Sequence, residues 1–402
     1  MLAIGLAYSA RVKLGNATLS SYGTTIFETM SALARDHAAV NLGQGFPDDR
    51  GPLELRRAAA DYVVDGHNQY PPMMGMPALR QAVADHDRRC YGLEIDWQTE
   101  VLVTSGATEA LMDCFLGLLD AGDEVVLLEP AYDTYAPVIR RLGAIPRPVR
   151  LVPPTWSLPH DELEAAFSPR TKLVVLNSPM NPSGKVFTRD ELGFLASLVL
   201  RHDTLAVCDE VYEHLVFGAT HVPLMTLPGM RERTLRIGSA GKTFSLTGWK
   251  VGYITAPAAL LRPITKAHQF VTFTTPPNLQ HAVALGLGLP GEYFEQLGGL
   301  LARSRDRLAS GLTALGVPLL PCDGTYFLVL DVAAWLRPGE DDIALCRRLV
   351  VEAGVVLIPM SAFYEASPPR NLVRACFCKE DATLDQALAR LRAWLDRGMT
   401  AG

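Results

Sequence analysis

From Glu100 onward the chain alternates short apolar runs with segments of helical periodicity, and this rhythm restricts what it can fold into. The runs lie at 101–104, 124–129, 172–177, 204–209, 234–238 and 249–256, with helical stretches opening at Gly106, Tyr135 and Arg189 between them. They lack the in–out alternation of a half-exposed strand, so they belong in a sheet covered on both faces. Strands separated by helices predict an α/β architecture with a mostly parallel sheet flanked by helices.

Either side of that rhythm the pattern differs. A helix is expected over 25–37, with Ile26, Phe27, Met30 and Leu33 on one face. A Gly/Pro-rich turn follows at 40–47, then helices over 52–65, opened by a proline, and over 77–91, with a loop at 68–75 between them. Beyond about residue 290 come a long helix (290–315), short strands at 325–330, 355–358 and 371–377, and a last helix at 384–397. The expected division is an arm at 1–45 that joins the small unit, a large α/β domain at 46–290 and a smaller α+β domain at 291–402. No 20–50-residue repeat and no low-complexity segment interrupts it.

Composition narrows the function. Of 402 residues, 49% are hydrophobic and 20% charged, enough for a large core. The net charge of −6, with no Lys/Arg block, argues against nucleic acid as a partner. Seven cysteines without a spacing framework, the closest pair being Cys376 and Cys378, fit reduced thiols and a cytoplasmic setting. The apolar start lacks a basic flank and reads as an arm rather than a signal segment. No stretch is long and apolar enough to span a membrane. No His/Cys/Asp cluster has metal-ligand spacing, and His268 and His281 read as helix residues rather than catalysts.

In open parallel α/β sheets, ligands bind beyond the carboxyl ends of the strands. After the first run, Gly106-Ala107-Thr108 opens a helix, whose free N–H groups form an anion site. Later runs are followed by Tyr132, by Asn181, by Asp209 with Tyr212, and by a loop containing Ser239, Lys242 and Lys250. In that loop Lys242 stands among small and hydroxyl residues, a setting suited to Schiff-base chemistry, which needs an amine held near a carbonyl and kept partly unprotonated. Singly these residues have plainer readings: Asp209 as a helix cap, Asn181-Pro-Ser-Gly as a turn, Tyr132 as core. Jointly they match a phosphorylated, aromatic, nitrogen-containing aldehyde.

The chain resembles the fold-type-I class I/II aminotransferases, which use pyridoxal 5′-phosphate (PLP), from about Thr24 to Arg397. The resemblance is carried by Asn-Leu-Gly-Gln-Gly-Phe-Pro at 41–47, Asn-Pro-Ser-Gly at 181–184, Asp-Glu-Val-Tyr at 209–212, Ser-Ala-Gly-Lys-Thr-Phe at 239–244 and Thr-Gly-Trp-Lys-Val-Gly-Tyr at 247–253. Within the family it is similar to the kynurenine/glutamine/methionine aminotransferase branch, which also contains cysteine-conjugate β-lyase activity. The resemblance implies that Lys242 holds PLP as a Schiff base and then shuttles a proton, and that Asp209 pairs with the pyridine nitrogen. It implies that Tyr212 and Asn181 bond the ring hydroxyl and that Tyr132 stacks on the ring. The phosphate would be held by the amides of Gly106, Ala107 and Thr108, by Ser239 and Lys250, and by Tyr70 from a partner subunit. A homodimer with shared sites is therefore implied. Arg374 would grip the substrate α-carboxylate, helped by the Gly45 backbone.

Two positions depart from the family. Lys250 stands where arginine is common and gives no planar fork. Ala107 replaces another small residue. Tyr22, Phe27 and Tyr364 are implied as side-chain pocket residues, with ordinary packing as the alternative. No second arginine can be placed for a side-chain carboxylate, although Arg262 and Arg370 keep that option open. The expected activity is ping-pong transamination of methionine, glutamine, kynurenine or an aromatic amino acid. The alternatives are C–S β-elimination, an aspartate or N-succinyldiaminopimelate type of transaminase, a PLP-binding regulator and a silent homologue.

Overall fold

A computed structural model describes residues 15–400; the start of the expected N-terminal arm, residues 1–14, lies outside them. In chain order the strands are β1 (Val40–Asn41), β2 (Val101–Thr104), β3 (Glu124–Glu129), β4 (Ile145–Arg150), β5 (Thr171–Asn177), β6 (Leu205–Asp209), β7 (Thr234–Ser239), β8 (Gly252–Thr255), β9 (Phe327–Asp331), β10 (Val355–Val356), β11 (Ile358–Pro359) and β12 (Leu372–Cys376). Seven of them form the central sheet, in the order β2-β8-β7-β6-β5-β3-β4. All its pairings are parallel except those of β8, which runs antiparallel to both β2 and β7. Every residue of β2, β3, β7 and β8 is buried, as continuous apolar runs require of a doubly covered sheet.

Three elements differ from the sequence reading. The run at 249–256 becomes a strand only at Gly252, because Thr247–Trp249 form a tight helical turn and Lys250 then takes a left-handed conformation (φ 54°). Strand β4 had no apolar signal. It carries Pro146 and Pro148 and sits at the sheet edge, where one flank needs no N–H donor. The run at 355–358 divides between two sheets. Val355–Val356 pairs in parallel with β1, and Ile358–Pro359 pairs antiparallel with β12 in a three-stranded sheet with β9. An N-terminal segment thus adds a strand to the C-terminal elements.

Helix starts follow local chemistry. The Thr25 side chain accepts the Glu28 N–H ahead of the Ile26–Asp36 helix, and Thr188 with Glu191 forms a reciprocal cap for Arg189–Arg201. Beneath the sheet lies a charged knot. Arg236 on β7, wholly buried, donates to Glu210 Oε2 (2.6 Å), Asp87 Oδ1 (2.6 Å) and Glu213.

Candidate active site

The carboxyl ends of the parallel strands converge on one rim. Asn177, last in β5, lies opposite Asp209, last in β6, and Ser239 closes β7 beside them. Because β8 runs the other way, its first residue, Gly252, pairs with Thr104 on one side and Ser239 on the other. Above this rim is a cavity of about 350 Å³.

One end of the cavity suits an anion. Gly106 (φ 78°) precedes the helix Ala107–Leu118, so the first N–H groups of that helix are exposed to the cavity. The Lys250 ammonium stands over Gly106: a Cβ there would lie 3.4 Å from Nζ. Thr108, Ser239 and Thr247 add hydroxyls to the same lining.

The centre suits a cation. Asp209 is buried; Tyr135 Oη donates to its Oδ2 (2.6 Å) and the Val211 N–H to Oδ1 (3.5 Å). Burial raises its pKa, and these hydrogen bonds with the nearby Lys242 charge only partly oppose it. A buried carboxylate on a cavity wall is stabilised by an opposing charge. Asn177 braces the arrangement, with its Nδ2 donating to the Asp209 carbonyl (2.8 Å) and its Oδ1 accepting the Asn181 N–H (2.7 Å). Tyr132 and Tyr212 line the walls.

The cavity wall also holds an amine and a guanidinium. Lys242 Nζ lies 2.9 Å from Tyr326 Oη and 3.4 Å from the Gly45 carbonyl, and Tyr326 Oη in turn donates to Gly45 O (2.7 Å). Burial lowers the Lys242 pKa, and the surrounding sulfurs and Asp209 offset that only in part. Arg374 on β12 donates to Asn181 Oδ1 (2.8 Å) and Gly43 O (2.7 Å), while its buried Nε has no partner. Its guanidinium lies 3.9 Å from the Phe327 ring centre and 5.2 Å from that of Phe27.

A family model, "Aminotransferase class I and II", matches residues 38–391. The chain belongs to the class I and II aminotransferases. It is 42% identical to the methionine aminotransferase of Escherichia coli, over 93% of this chain and 97% of that one. The solved N-succinyldiaminopimelate aminotransferase of Mycobacterium tuberculosis superposes with a TM-score of 0.92 at 44% identity, covering 95% of this chain and all of that one. Kynurenine–oxoglutarate transaminase 3 of Mus musculus is 40% identical, over 97% and 93% of the two chains.

In this aminotransferase the cavity gathers most of the residues singled out in the sequence, but not all. Tyr70 lies apart, 83% exposed and edge-on to Phe273. Tyr22 sits outside the lining, with its hydroxyl accepting from Arg140 (3.0 Å). Tyr364 is also absent from the lining and packs on Arg150. Arg262 and Arg370 are exposed and off the cavity, Arg370 being paired with Asp341 (3.2 Å). Tyr326, Tyr135 and Asn177 were not singled out. Tyr326 sits in a run that reads only as strand, and Tyr135 only as a helix start. Asn177 was visible as the polar end of an apolar run. No helix among the described residues is long and apolar enough to cross a membrane.

Proposed function

We propose that this aminotransferase holds PLP in the cavity and transfers the amino group of an L-amino acid of aromatic, methionine, glutamine or kynurenine type, whose side chains carry no carboxylate, to a 2-oxo acid. One observation carries the reading. An amine of lowered pKa, a buried carboxylate of raised pKa and a helix N-terminus with a lysine over it share one cavity. Bound there, PLP supplies an electron-accepting ring for chemistry at the substrate α-carbon.

The chain's own residues then divide the work. Asp209 would keep the ring nitrogen protonated, the opposite charge offsetting the burial that otherwise raises its pKa. Gly106, Ala107 and Thr108 amides, the Ser239 hydroxyl and Lys250 hold the phosphate. Tyr212 and Asn181, both on the cavity wall, would bond the ring hydroxyl, and Tyr132 would pack against the ring. Lys242, its pKa lowered by burial, would supply the amine that anchors the cofactor at its aldehyde carbon with loss of water, and once released would serve as the base for the α-proton. Arg374, on the cavity wall, would take the α-carboxylate with its guanidinium.

The choice of side chain follows from what lines the cavity. Phe27 and Phe327 flank Arg374, and among the described residues the only Lys or Arg side chains on the cavity wall are Lys242, Lys250 and Arg374. A side-chain carboxylate would find no cation of its own, which favours uncharged side chains over aspartate. The N-succinyldiaminopimelate type is the second reading, supported by the 44% identical relative. We take the cavity to lie between a large domain (46–290) and a small one (291–402 with the N-terminal segment). A homodimer is supported by the exposed apolar side chains of Tyr70, Phe270 and Val64. Seven unpaired thiols support a reducing, cytoplasmic setting.

The test is spectroscopic. The purified protein is given PLP, then single amino acids without an oxo-acid acceptor. Methionine, glutamine, phenylalanine or kynurenine should convert the cofactor's visible band to that of its aminated form, and aspartate should not. Pyruvate release from a cysteine conjugate with the band intact would favour β-elimination. Lys242→Ala should abolish turnover, and transamination near the wild-type rate in that variant would refute the assignment.

A further inference from the structure

His268 lies on the helix Ala258–Val271 and is wholly buried. Both of its ring nitrogens face acceptors. Nδ1 is 3.0 Å from Glu109 Oε1 and 3.4 Å from Asp113 Oδ2, and Nε2 is 3.1 Å from the Met73 carbonyl oxygen. A neutral imidazole donates from one nitrogen only, and neither a carbonyl nor an ionised carboxylate donates back. An imidazolium, with hydrogen on both nitrogens, is the form that donates to the acceptors on both sides of the ring. Burial works against that charge, but the Asp113 carboxyl 3.4 Å away and the hydrogen-bonded Glu109 outweigh it and push the pKa up to about 9.

The position of these carboxylates gives the charge a purpose. Glu109 sits in the first turn of Ala107–Leu118, the helix whose N-terminus faces the anion end of the cavity. Its second oxygen accepts the Ser105 N–H, immediately before Gly106, and Ser105 Oγ is 3.2 Å from Thr275 Oγ1. Asp113, one turn further on, is wholly buried, with no hydrogen bond within standard geometry at either oxygen. Two carboxylates beneath an anion cradle would repel a phosphate unless a cation faced them. The same imidazolium holds Met73, and the neighbouring Met74 carbonyl accepts the Val103 N–H of β2 (3.0 Å). That segment follows directly on Tyr70.

We propose that His268 is a positioning residue for the phosphate cradle. As an imidazolium it neutralises Glu109 and Asp113 and fixes the Ser105–Gly106 turn against the 70–75 loop. The proposal rests on the reading of this end of the cavity as a phosphate site. Its charge is present below pH about 9 and is lost as the pH rises through that value.

The test uses the full chain. In ¹⁵N-histidine spectra, the His268 resonance, assigned by its absence in His268→Gln, should show both nitrogens protonated at neutral pH, with titration near 9. His268→Asn gives the same assignment should His268→Gln fail to fold, and a neutral tautomer at pH 7 would overturn the proposal. Equilibrium binding of PLP and of pyridoxal, which lacks the phosphate, is then compared. His268→Gln should bind PLP about tenfold more weakly and pyridoxal unchanged. The wild type should fall to the variant's PLP affinity between pH 8 and 10. Equal losses for the two ligands would indicate a merely structural role and overturn the proposal, as would equal PLP affinities. If the wild type binds no PLP at all, the cavity reading itself fails and takes this inference with it.

Discussion

Gly252 should be irreplaceable, even by alanine. It is the first residue of β8, wedged between Thr104 and Ser239, where two strands carry groups to the anion end of the cavity. A methyl on it would stand 2.6 Å from the Gly106 carbonyl carbon, 2.7 Å from the Ala107 nitrogen and 3.0 Å from Gly106 Cα. Ordinary contact begins at 3.4 Å, so the Gly106–Ala107 peptide must retreat by about 0.8 Å. All three atoms are backbone, and no rotamer change relieves them. Overpacking of this kind costs about 1–3 kcal/mol. Here it falls on the amides assigned to the phosphate, so Gly252→Ala should weaken PLP about 5- to 150-fold. Gly193→Ala is the control. Gly193 lies in the helix Arg189–Arg201 with nothing within 4 Å of its added methyl, and the substitution should leave PLP affinity unchanged and raise stability by about 0.5–1 kcal/mol. Absorbance titration of the apo-proteins with PLP, alongside thermal melts, decides the matter. A folded Gly252→Ala protein that binds PLP within twofold of wild type would refute the argument.

Two further substitutions test stability. Arg236→Met leaves Asp87, Glu210 and Glu213 buried without their cation and should cost about 3–5 kcal/mol in urea unfolding, whereas Arg233→Met, which loses an exposed pair with Asp203, should cost under about 1 kcal/mol; equal costs would contradict the account of the knot. Hydrogen bonds from Arg147, Ser168 and Arg170 hold the Glu124 carboxyl at about 2, against an ordinary value of 4.5. Its contribution is therefore full above pH 4.5 and is lost as the pH falls toward 2, so melts between pH 5 and 2.5 should fall more steeply for wild type than for Glu124→Gln, and parallel curves would contradict this.

Legibility in the sequence followed the range of the forces involved. Strands buried on both faces announce themselves as continuous apolar runs, and caps such as Thr25 and Thr188 act within one turn of chain. The polar groups that end successive strands, Asn177, Asp209 and Ser239, were readable as a rim because parallel strands bring like ends together. The edge strand β4 was hidden by its two prolines, which mimic a loop signal. The reversed direction of β8 was equally hidden, since an apolar run has no arrow.

The amino-acid sequence alone thus determined the α/β class, the expected rim and the presence of Lys242, Asp209, Asn181 and Arg374. Each depends on residue type and near-neighbour spacing. Tertiary structure decided how those groups are tuned. Tyr326 meets Lys242 from 84 residues away, and Arg374 meets Asn181 from 193. His268 becomes an imidazolium only because helix Ala107–Leu118 and the Met73 loop bring two carboxylates and a carbonyl to its ring. Desolvation and Coulomb energy are sums over everything packed around a charge, and no local stretch of chain contains those neighbours.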